Sequence, residues 1–200
     1  MEPEVYQQMK RIEDKHWWFL EHQILVKKHI STNNNTLLLD IGCGTGKTLS
    51  LFSQGSGIGL DIEDLALELC REKKLPHLLQ ADALSLPFKE ETFDYALILQ
   101  VLYHRRAKEE KKVLKEARRV LKRGGILLIT EPAFEFLRRE HDIVEHTRKR
   151  FTREELIQLV SEAGFKIVKT SYLYSYALPL ILLIKLFKTK RKSDLSLPPV

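Results

Sequence analysis

Glycine occupies every second position of one loop, directly after an acid that ends a run of apolar residues. Residues 37–46 read LLLDIGCGTG. Glycine allows positive φ and lets a ligand approach the backbone, and the free N–H groups of a following helix attract anionic groups. The pattern therefore predicts a buried strand, a loop that holds a small ligand, and a helix after it, at the carboxyl end of a parallel sheet.

The spacing of these glycines separates three kinds of ligand. A nicotinamide dinucleotide site has G-x-G-x-x-G, whereas the glycines here are at 42, 44 and 46 and are followed by Lys47. A phosphate-binding loop has G-x-x-x-x-G-K-S/T; residues 46–48 match its end, but Ile41 stands at its first glycine. The remaining pattern, acid-x-G-x-G-x-G, resembles motif I of class I S-adenosylmethionine-dependent methyltransferases. A tight turn without a ligand is the structural alternative.

Further segments follow in the order of that family, so the resemblance covers about residues 36–170. Residues 57–62 (GIGLDI) resemble its second strand, ending in Asp61 about 20 residues past the first glycine, the offset at which an acid accepts ribose hydroxyls. Asp61 could equally cap the next helix. Residues 80–88 (QADALSLPF) resemble the family's adenine-binding segment, and residues 121–132 its glycine turn and fifth strand.

The resemblance implies S-adenosyl-L-methionine as the cofactor and methyl transfer as the reaction. Such a transfer is an in-line displacement that requires alignment and exclusion of water, at most one base, and no metal. The histidines at 141 and 146 are five residues apart, which does not place both on one helical face, so we expect no metal site. The family's cofactor-binding positions correspond to Asp40, Gly42, Cys43, Gly44, Thr45, Gly46, Asp61, Ile62, Asp82, Ala83 and Gln100.

Two segments are expected to cover the open end of the sheet, where the acceptor must bind. Residues 13–19 (EDKHWWF) and 141–151 (HDIVEHTRKRF) resemble segments of a bacterial and archaeal subgroup of the family. An arginine there suits an acceptor carboxylate or phosphate, and a neutral histidine suits a proton acceptor. We predict that the acceptor contacts His16, Trp17, His141 and Arg150, and that His104 and His146 are the candidate bases. The alternatives are a packed core for the tryptophans, a solvated charge run for the arginines, and a rim position for His104.

The sequence lacks the motifs that are typical of two kinds of methyl acceptor. Carbon-5 methylation of pyrimidines in this family uses a cysteine that usually follows proline, and neither Cys43 nor Cys70 does. Methylation of nucleobase or glutamine nitrogen often carries N/D-P-P-Y/F after the fourth strand, where residues 100–103 read QVLY. We therefore expect a small-molecule or lipid-linked acceptor and do not expect a nucleic acid. A non-enzymatic S-adenosylmethionine-binding or regulatory protein, and an RNA methyltransferase suggested by the net charge of +6, are the alternatives.

Alternating strands and amphipathic helices predict an α/β fold, a Rossmann-like three-layer αβα sandwich with a mostly parallel sheet. Residues 109–122 carry apolar side chains on one helical face, and Thr152 and Glu155 form a capping box for a helix that ends at Gly164. Residues 165–174 are predicted as a further strand. The family's final antiparallel strand has no clear counterpart, because residues 177–187 (ALPLILLIKLF) suit either a strand or a helix.

The chain divides into three predicted parts. Residues 1–35 form an N-terminal helical lid, residues 36–176 the cofactor-binding domain, and residues 177–200 an apolar and then basic tail. Five positive charges lie between residues 185 and 192, so the tail is either packed on the core or in contact with an anionic membrane surface. The absence of an apolar signal region and of C-x-x-C motifs favours a reduced, cytoplasmic setting, with peripheral membrane contact as a variant.

Overall fold

A computed structural model describes residues 2–33, 35–52, 56–104, 109–139, 141–179 and 183, with the side chains of residues 141 and 177 left out. The expected basic tail therefore lies mostly outside the described residues. No helix in the described part of the chain has the length and apolar character needed to span a membrane.

Among the described residues, five parallel strands form the sheet, and helices cover both of its faces. The strands are β1 (Leu38–Ile41), β2 (Gly57–Asp61), β3 (Leu78–Gln80), β4 (Phe93–Leu99) and β5 (Leu121–Thr130). Their order is β3-β2-β1-β4-β5, and every pairing is parallel. All four residues of β1 are buried, as expected for a central strand covered on both faces. The predicted Rossmann-like α/β fold is confirmed.

The helices are α1 (Pro3–Ile12), α2 (Trp17–His29), α3 (Asp64–Glu72), α4 (Glu110–Val120), α5 (His141–Val144) and α6 (Arg153–Glu162). On one face of the sheet, Leu39 and Ile41 pack in a cluster with residues of α4 and α6. On the other face, Leu38 packs with Val26 of α2 and Leu67 of α3. The alternation of side chains along β1 thus divides the core into two layers, and the predicted capping box begins α6 at Thr152.

Two predicted elements differ from the structure near the glycine loop and at the end of the domain. After the loop, the described residues contain only a one-turn 3-10 helix, Leu49–Leu51, instead of an α-helix. Glycines with positive φ at 42, 44 and 46 hold the start of the connection to β2 in a non-helical conformation. The one-turn helix is too short to supply the predicted N-terminal dipole.

The predicted strand over residues 165–174 is wrong, because none of these residues is paired in the sheet. Phe165 and Ile167 pack against the core while Val168 is 93% exposed, so burial alternates at the start of this segment as it does in a strand covered on one face. A strand also needs a partner for its N–H and C=O groups, and the sheet pairs β5 only with β4 among the described residues. The glycine turn at 124–125 is a bulge within β5, with Gly124 at φ +78°.

Candidate cofactor and acceptor site

A cleft of about 2290 Å³ follows the carboxyl ends of the strands. Its walls include the glycine loop after β1, the end of β2, the segment after β4 and the segment after β5. These positions follow from the parallel sheet, which brings the ends of sequence-distant strands to one edge.

The three glycines of the loop have positive φ, but each is required for a different reason. A Cβ on Gly42 would lie 2.6 Å from Val101 Cγ2, and a Cβ on Gly46 would lie 2.7 Å from Cys70 Sγ. A Cβ on Gly44 would meet nothing within 4 Å and would enter the open cleft. Gly42 and Gly46 therefore allow close packing, whereas Gly44 leaves space for a ligand. Gly46 itself does not line the cleft.

Asp61 at the end of β2 holds the glycine loop. Its Oδ2 accepts the N–H of Gly44 at 3.0 Å, and its Oδ1 accepts the N–H of Glu63 at 3.0 Å. Burial raises the pKa of Asp61, while these two N–H groups oppose the shift. The contact with Glu63 closes a turn just before α3, which begins at Asp64. Asp61 therefore stabilises this turn but does not cap the helix. The carboxylate lines the cleft and can also accept ligand hydroxyls.

Asp40 on β1 is a second buried carboxyl group in the cleft. Burial raises its pKa to about 7, and the nearby charge of Asp61 adds to the shift. Two buried acids favour a cationic ligand, because a positive charge stabilises their ionised forms. The two carboxyl groups therefore fit a ligand that carries hydroxyls and a positive charge.

The predicted adenine side lies on the same cleft. Ile62, which is 40% exposed, lines the cleft, and so do Asp82 and Ala83. Asp82 Oδ1 accepts the N–H of Leu84 at 2.9 Å, which fixes the turn after β3. Gln100 follows β4 with φ +61°, and its Nε2 lies 3.4 Å from Thr130 Oγ1.

Glu131 is a site residue to which sequence reasoning gave no role. Its carboxylate accepts backbone N–H groups of Val101 at 3.1 Å, Leu102 at 2.8 Å and Tyr103 at 3.0 Å. Burial raises the pKa of Glu131 to about 8, although these N–H groups act to lower it. Glu131 therefore joins the end of β5 to the segment that follows β4. The acid directly after the fifth strand was the available signal.

The N-terminal helices reach the cleft through His16 and Trp17. His16 is buried and caps α2, with its Nδ1 accepting the N–H of Trp18 at 3.3 Å. Its ring stacks on Trp17 with centroids 5.6 Å apart. Trp17 meets Tyr174 edge to face at 5.0 Å, and Tyr174 Oη donates to the carbonyl of Trp18 at 3.3 Å. The C-terminal part of the domain thus holds the start of α2 over the cleft.

The two candidate bases are neighbours, but only one of them lines the cleft. His104 lies on the cleft wall, and its ring centroid is 5.8 Å from that of His146. His146 has φ +55° and its Nε2 donates to Glu2 Oε1 at 2.9 Å. The structure therefore places His146 behind His104, at the contact with the start of α1.

Arg150 lines the cleft, but all three nitrogens of its guanidinium already donate hydrogen bonds to other groups of the protein. Its Nε and Nη2 donate to the two oxygens of Asp142 at 2.8 and 3.1 Å, and its Nη1 donates to the carbonyl of Ala133 at 3.1 Å. Burial acts to raise the pKa of Asp142, but Arg150 and the N–H of Arg139 hold the pKa below its usual value. His141 begins α5, and its side chain lies outside the described residues.

Comparison with known proteins identifies the family. Residues 39–129 match a family described as methyltransferase domain. A protein of unknown function from Methanocaldococcus jannaschii is 32% identical over 173 residues, which cover 81% of this chain and 82% of that protein. The solved structure of an S-adenosylmethionine-dependent methyltransferase from Thermotoga maritima, described as a possible histamine N-methyltransferase, has 28% identity and a TM-score of 0.69 over 82% of this chain and 79% of that one.

A third similarity is to a tRNA (carboxymethyluridine(34)-5-O)-methyltransferase of Arabidopsis thaliana, 40% identical over 101 residues. This match covers half of the present chain, which spans only a quarter of that relative's length. The tRNA relative does not fit the expectation that a nucleic acid is not a partner.

The chain belongs to the class I S-adenosylmethionine-dependent methyltransferase family. The predictions of an enzyme and of S-adenosylmethionine as its cofactor are confirmed. The cleft fits that cofactor at Gly44, where a side chain would enter ligand space, and at the buried acids.

Proposed function

We propose that the protein transfers the methyl group of S-adenosylmethionine to a small-molecule acceptor that binds between the glycine loop and the N-terminal helices. The observation that carries this proposal is the placement of His16 and Trp17 on the same cleft as Gly44 and Asp61. The cleft of about 2290 Å³ continues from these residues along β5, which leaves room beside the cofactor for an acceptor.

The cofactor half of the cleft is assigned to the loop and the ends of β2 and β3. Gly44 allows close approach, Asp61 accepts ribose hydroxyls, and Ile62, Asp82 and Ala83 surround the adenine. When bound, S-adenosylmethionine supplies an activated methyl group on its sulfonium. The protein aligns the acceptor and excludes water, which makes the transfer effectively unimolecular.

The acceptor half is assigned to His16, Trp17 and His104. His104 is the proposed base, because it lines the cleft and imidazole titrates near neutral pH. His146 supports it from behind through the contact between their rings. Replacement of His104 by Gln is expected to lower the rate of methyl transfer at least tenfold and leave cofactor affinity within twofold.

Transfer of label from methyl-labelled S-adenosylmethionine tests the acceptor class. The full chain is incubated separately with a low-molecular-mass aqueous fraction, a lipid extract and total tRNA from the same cells. Asp61→Ala protein is the control for activity that depends on the cofactor site. Label in the aqueous fraction supports the proposal. Label confined to lipid moves the acceptor to the lipid-linked class, and a tail contact at residues 177–192 is then the feature to examine.

Methylation of tRNA is the second candidate, supported by the 40% identity to the Arabidopsis enzyme over half of this chain. Label that stays with tRNA and is released by ribonuclease would contradict a small-molecule acceptor. Binding of tRNA should then weaken steeply with salt, because phosphate contacts release counterions. Cofactor binding without labelled product in any fraction would favour the non-enzymatic alternative.

A further inference from the structure

Glu13, between α1 and α2, is a buried carboxylate that contacts Thr45 of the glycine loop, which is called the cofactor loop from here on because it belongs to the proposed cofactor site. Only 2% of its side chain is exposed. Its Oε2 accepts the hydroxyl of Thr45 at 2.5 Å, and its Oε1 pairs with Lys73 Nζ at 2.5 Å. Lys73 also donates to the backbone carbonyl of Thr45 at 2.6 Å. One acid of the N-terminal segment and one lysine after α3 thus hold the hydroxyl and the carbonyl of Thr45.

Thr45 lies in the part of the loop where the backbone has the most conformational freedom, so a contact there restrains the loop most. It stands between Gly44 at φ +54° and Gly46 at φ +74°, and glycine leaves the backbone more conformational freedom than any other residue. Asp61 and Cys70 hold Gly44, through its N–H and its carbonyl, respectively. Glu13 restrains the next residue, Thr45, through its hydroxyl.

We propose that Glu13 is a positioning residue for the cofactor loop, and that the N-terminal segment therefore forms part of the S-adenosylmethionine site. A restrained loop loses less conformational entropy when the cofactor binds, so its affinity is higher. Glu13 acts through Thr45. The inference rests on the cofactor of the family and is independent of the acceptor, so a failure of the proposed acceptor leaves it intact.

Cofactor affinity measured by calorimetry on the full chain tests the proposal. Glu13→Gln keeps the shape of the side chain but removes the charge that strengthens both contacts. We expect the dissociation constant for S-adenosylmethionine to rise about tenfold. The control is Asp14→Asn: Asp14 is the adjacent acid and pairs with Lys47 of the same loop, but 65% of its side chain is exposed. Its dissociation constant should stay within twofold of the wild-type value.

A double-mutant cycle separates positioning from a general structural effect. Thr45→Val removes the hydroxyl and should weaken cofactor binding in the wild-type background, whereas Thr45→Ser keeps the hydroxyl and should retain affinity. In the Glu13→Ala background, Thr45→Val should cause no further loss, because the contact is already absent. Independent, multiplicative losses in the double variant would overturn the proposal.

The Thr45 variants keep the test decisive if the Glu13 variants fail to fold. Thr45→Val and Thr45→Ser differ from the wild type only at the loop, and thermal melting confirms that each is folded. Weaker binding in Thr45→Val than in Thr45→Ser supports the positioning role. Equal affinity in wild type, Thr45→Val and Thr45→Ser would remove it.

Discussion

At the scale of single residues, the glycine loop combines packing constraints with a ligand constraint. Gly42 and Gly46 are surrounded by side chains, whereas the Cβ position of Gly44 is open. Asp61 restrains Gly44 and presents a buried carboxylate to the same cleft. Substitutions at these positions should therefore separate effects on folding from effects on cofactor binding.

Gly44→Val should nearly abolish cofactor binding while the fold is retained. The branched side chain would occupy ligand space and resist φ +54°. Gly124→Val is the control for backbone strain, since Gly124 has φ +78° and nothing within 4 Å of its Cβ position. It also borders the cleft, but in the bulge near the amino end of β5, whereas the glycine loop lies where the strands end. Both variants should lose about 1–2 kcal/mol of stability through backbone strain. If calorimetry finds normal cofactor binding by Gly44→Val, Gly44 is needed only for the turn and not for ligand space.

Asp61→Ala should weaken S-adenosylmethionine binding by roughly 1.5–3 kcal/mol, the range for hydrogen bonds to a charged group. The loss has two sources, because the carboxylate also holds the N–H of Gly44. Asp82→Ala should have a smaller effect, since Asp82 is exposed and its described contact is to Leu84. Calorimetry on the three proteins decides the order, and unchanged affinity in Asp61→Ala contradicts the ribose assignment.

At the scale of elements, the segment after β5 is fixed by an ion pair within it. Arg150, just before α6, forms a two-point contact with Asp142 of α5. The side chain of Asp142 is 3% exposed and that of Arg150 18% exposed, so the pair is largely removed from water. A contact between Arg150 and the acceptor stays a prediction, since this geometry already gives the arginine a structural role.

Arg150→Ala should lower the free energy of unfolding by about 3 kcal/mol, because it leaves a buried carboxylate unpaired. The double variant Arg150→Ala/Asp142→Asn should recover part of that loss. Arg153→Ala provides the exposed comparison: its pair with Glu154 is solvent-accessible and should contribute at most about 1 kcal/mol. Urea denaturation measures all three. A stable Arg150→Ala protein with slow turnover would instead support the acceptor role.

At the scale of the whole molecule, the fold gathers buried acids at the edge where its parallel strands end. Asp40, Asp61 and Glu131 come from β1, β2 and the end of β5, and burial raises the pKa of each. Such groups bind protons more tightly in the folded state than in the unfolded chain. They therefore stabilise the cofactor-free protein at low pH and destabilise it as pH rises.

The pH dependence of the free energy of unfolding should show the raised pKa of Asp40. Burial raises the pKa of Asp40 from its ordinary 3.8 to about 7, so its contribution is complete below pH 3.8 and is lost as pH rises through 7. Within that window the wild type should lose stability relative to Asp40→Asn by at most about 1.4 kcal/mol per pH unit. Urea denaturation between pH 5 and 8 gives the difference. Parallel profiles for the two proteins would show that Asp40 is not buried as a proton-binding group.

The amino-acid sequence by itself determined the elements whose signals are local. The apolar run before the glycine loop predicted β1, the apolar face of residues 109–122 predicted α4, and Thr152 with Glu155 predicted the start of α6. The glycine spacing identified the family of the loop. These features depend on neighbours within a few residues, so periodicity and capping chemistry are enough to predict them.

Only the tertiary structure decided which distant groups become partners. Residues 165–174 alternate like a strand but find no strand to pair with, and Arg150 points its donors at Asp142 within the cleft wall. Glu13 meets Thr45 across 32 positions, and Glu131 meets the backbone 28 to 30 positions earlier. Hydrogen-bond partners far apart in sequence are selected by the fold, because each polar group that becomes buried must find its partner in space rather than along the chain.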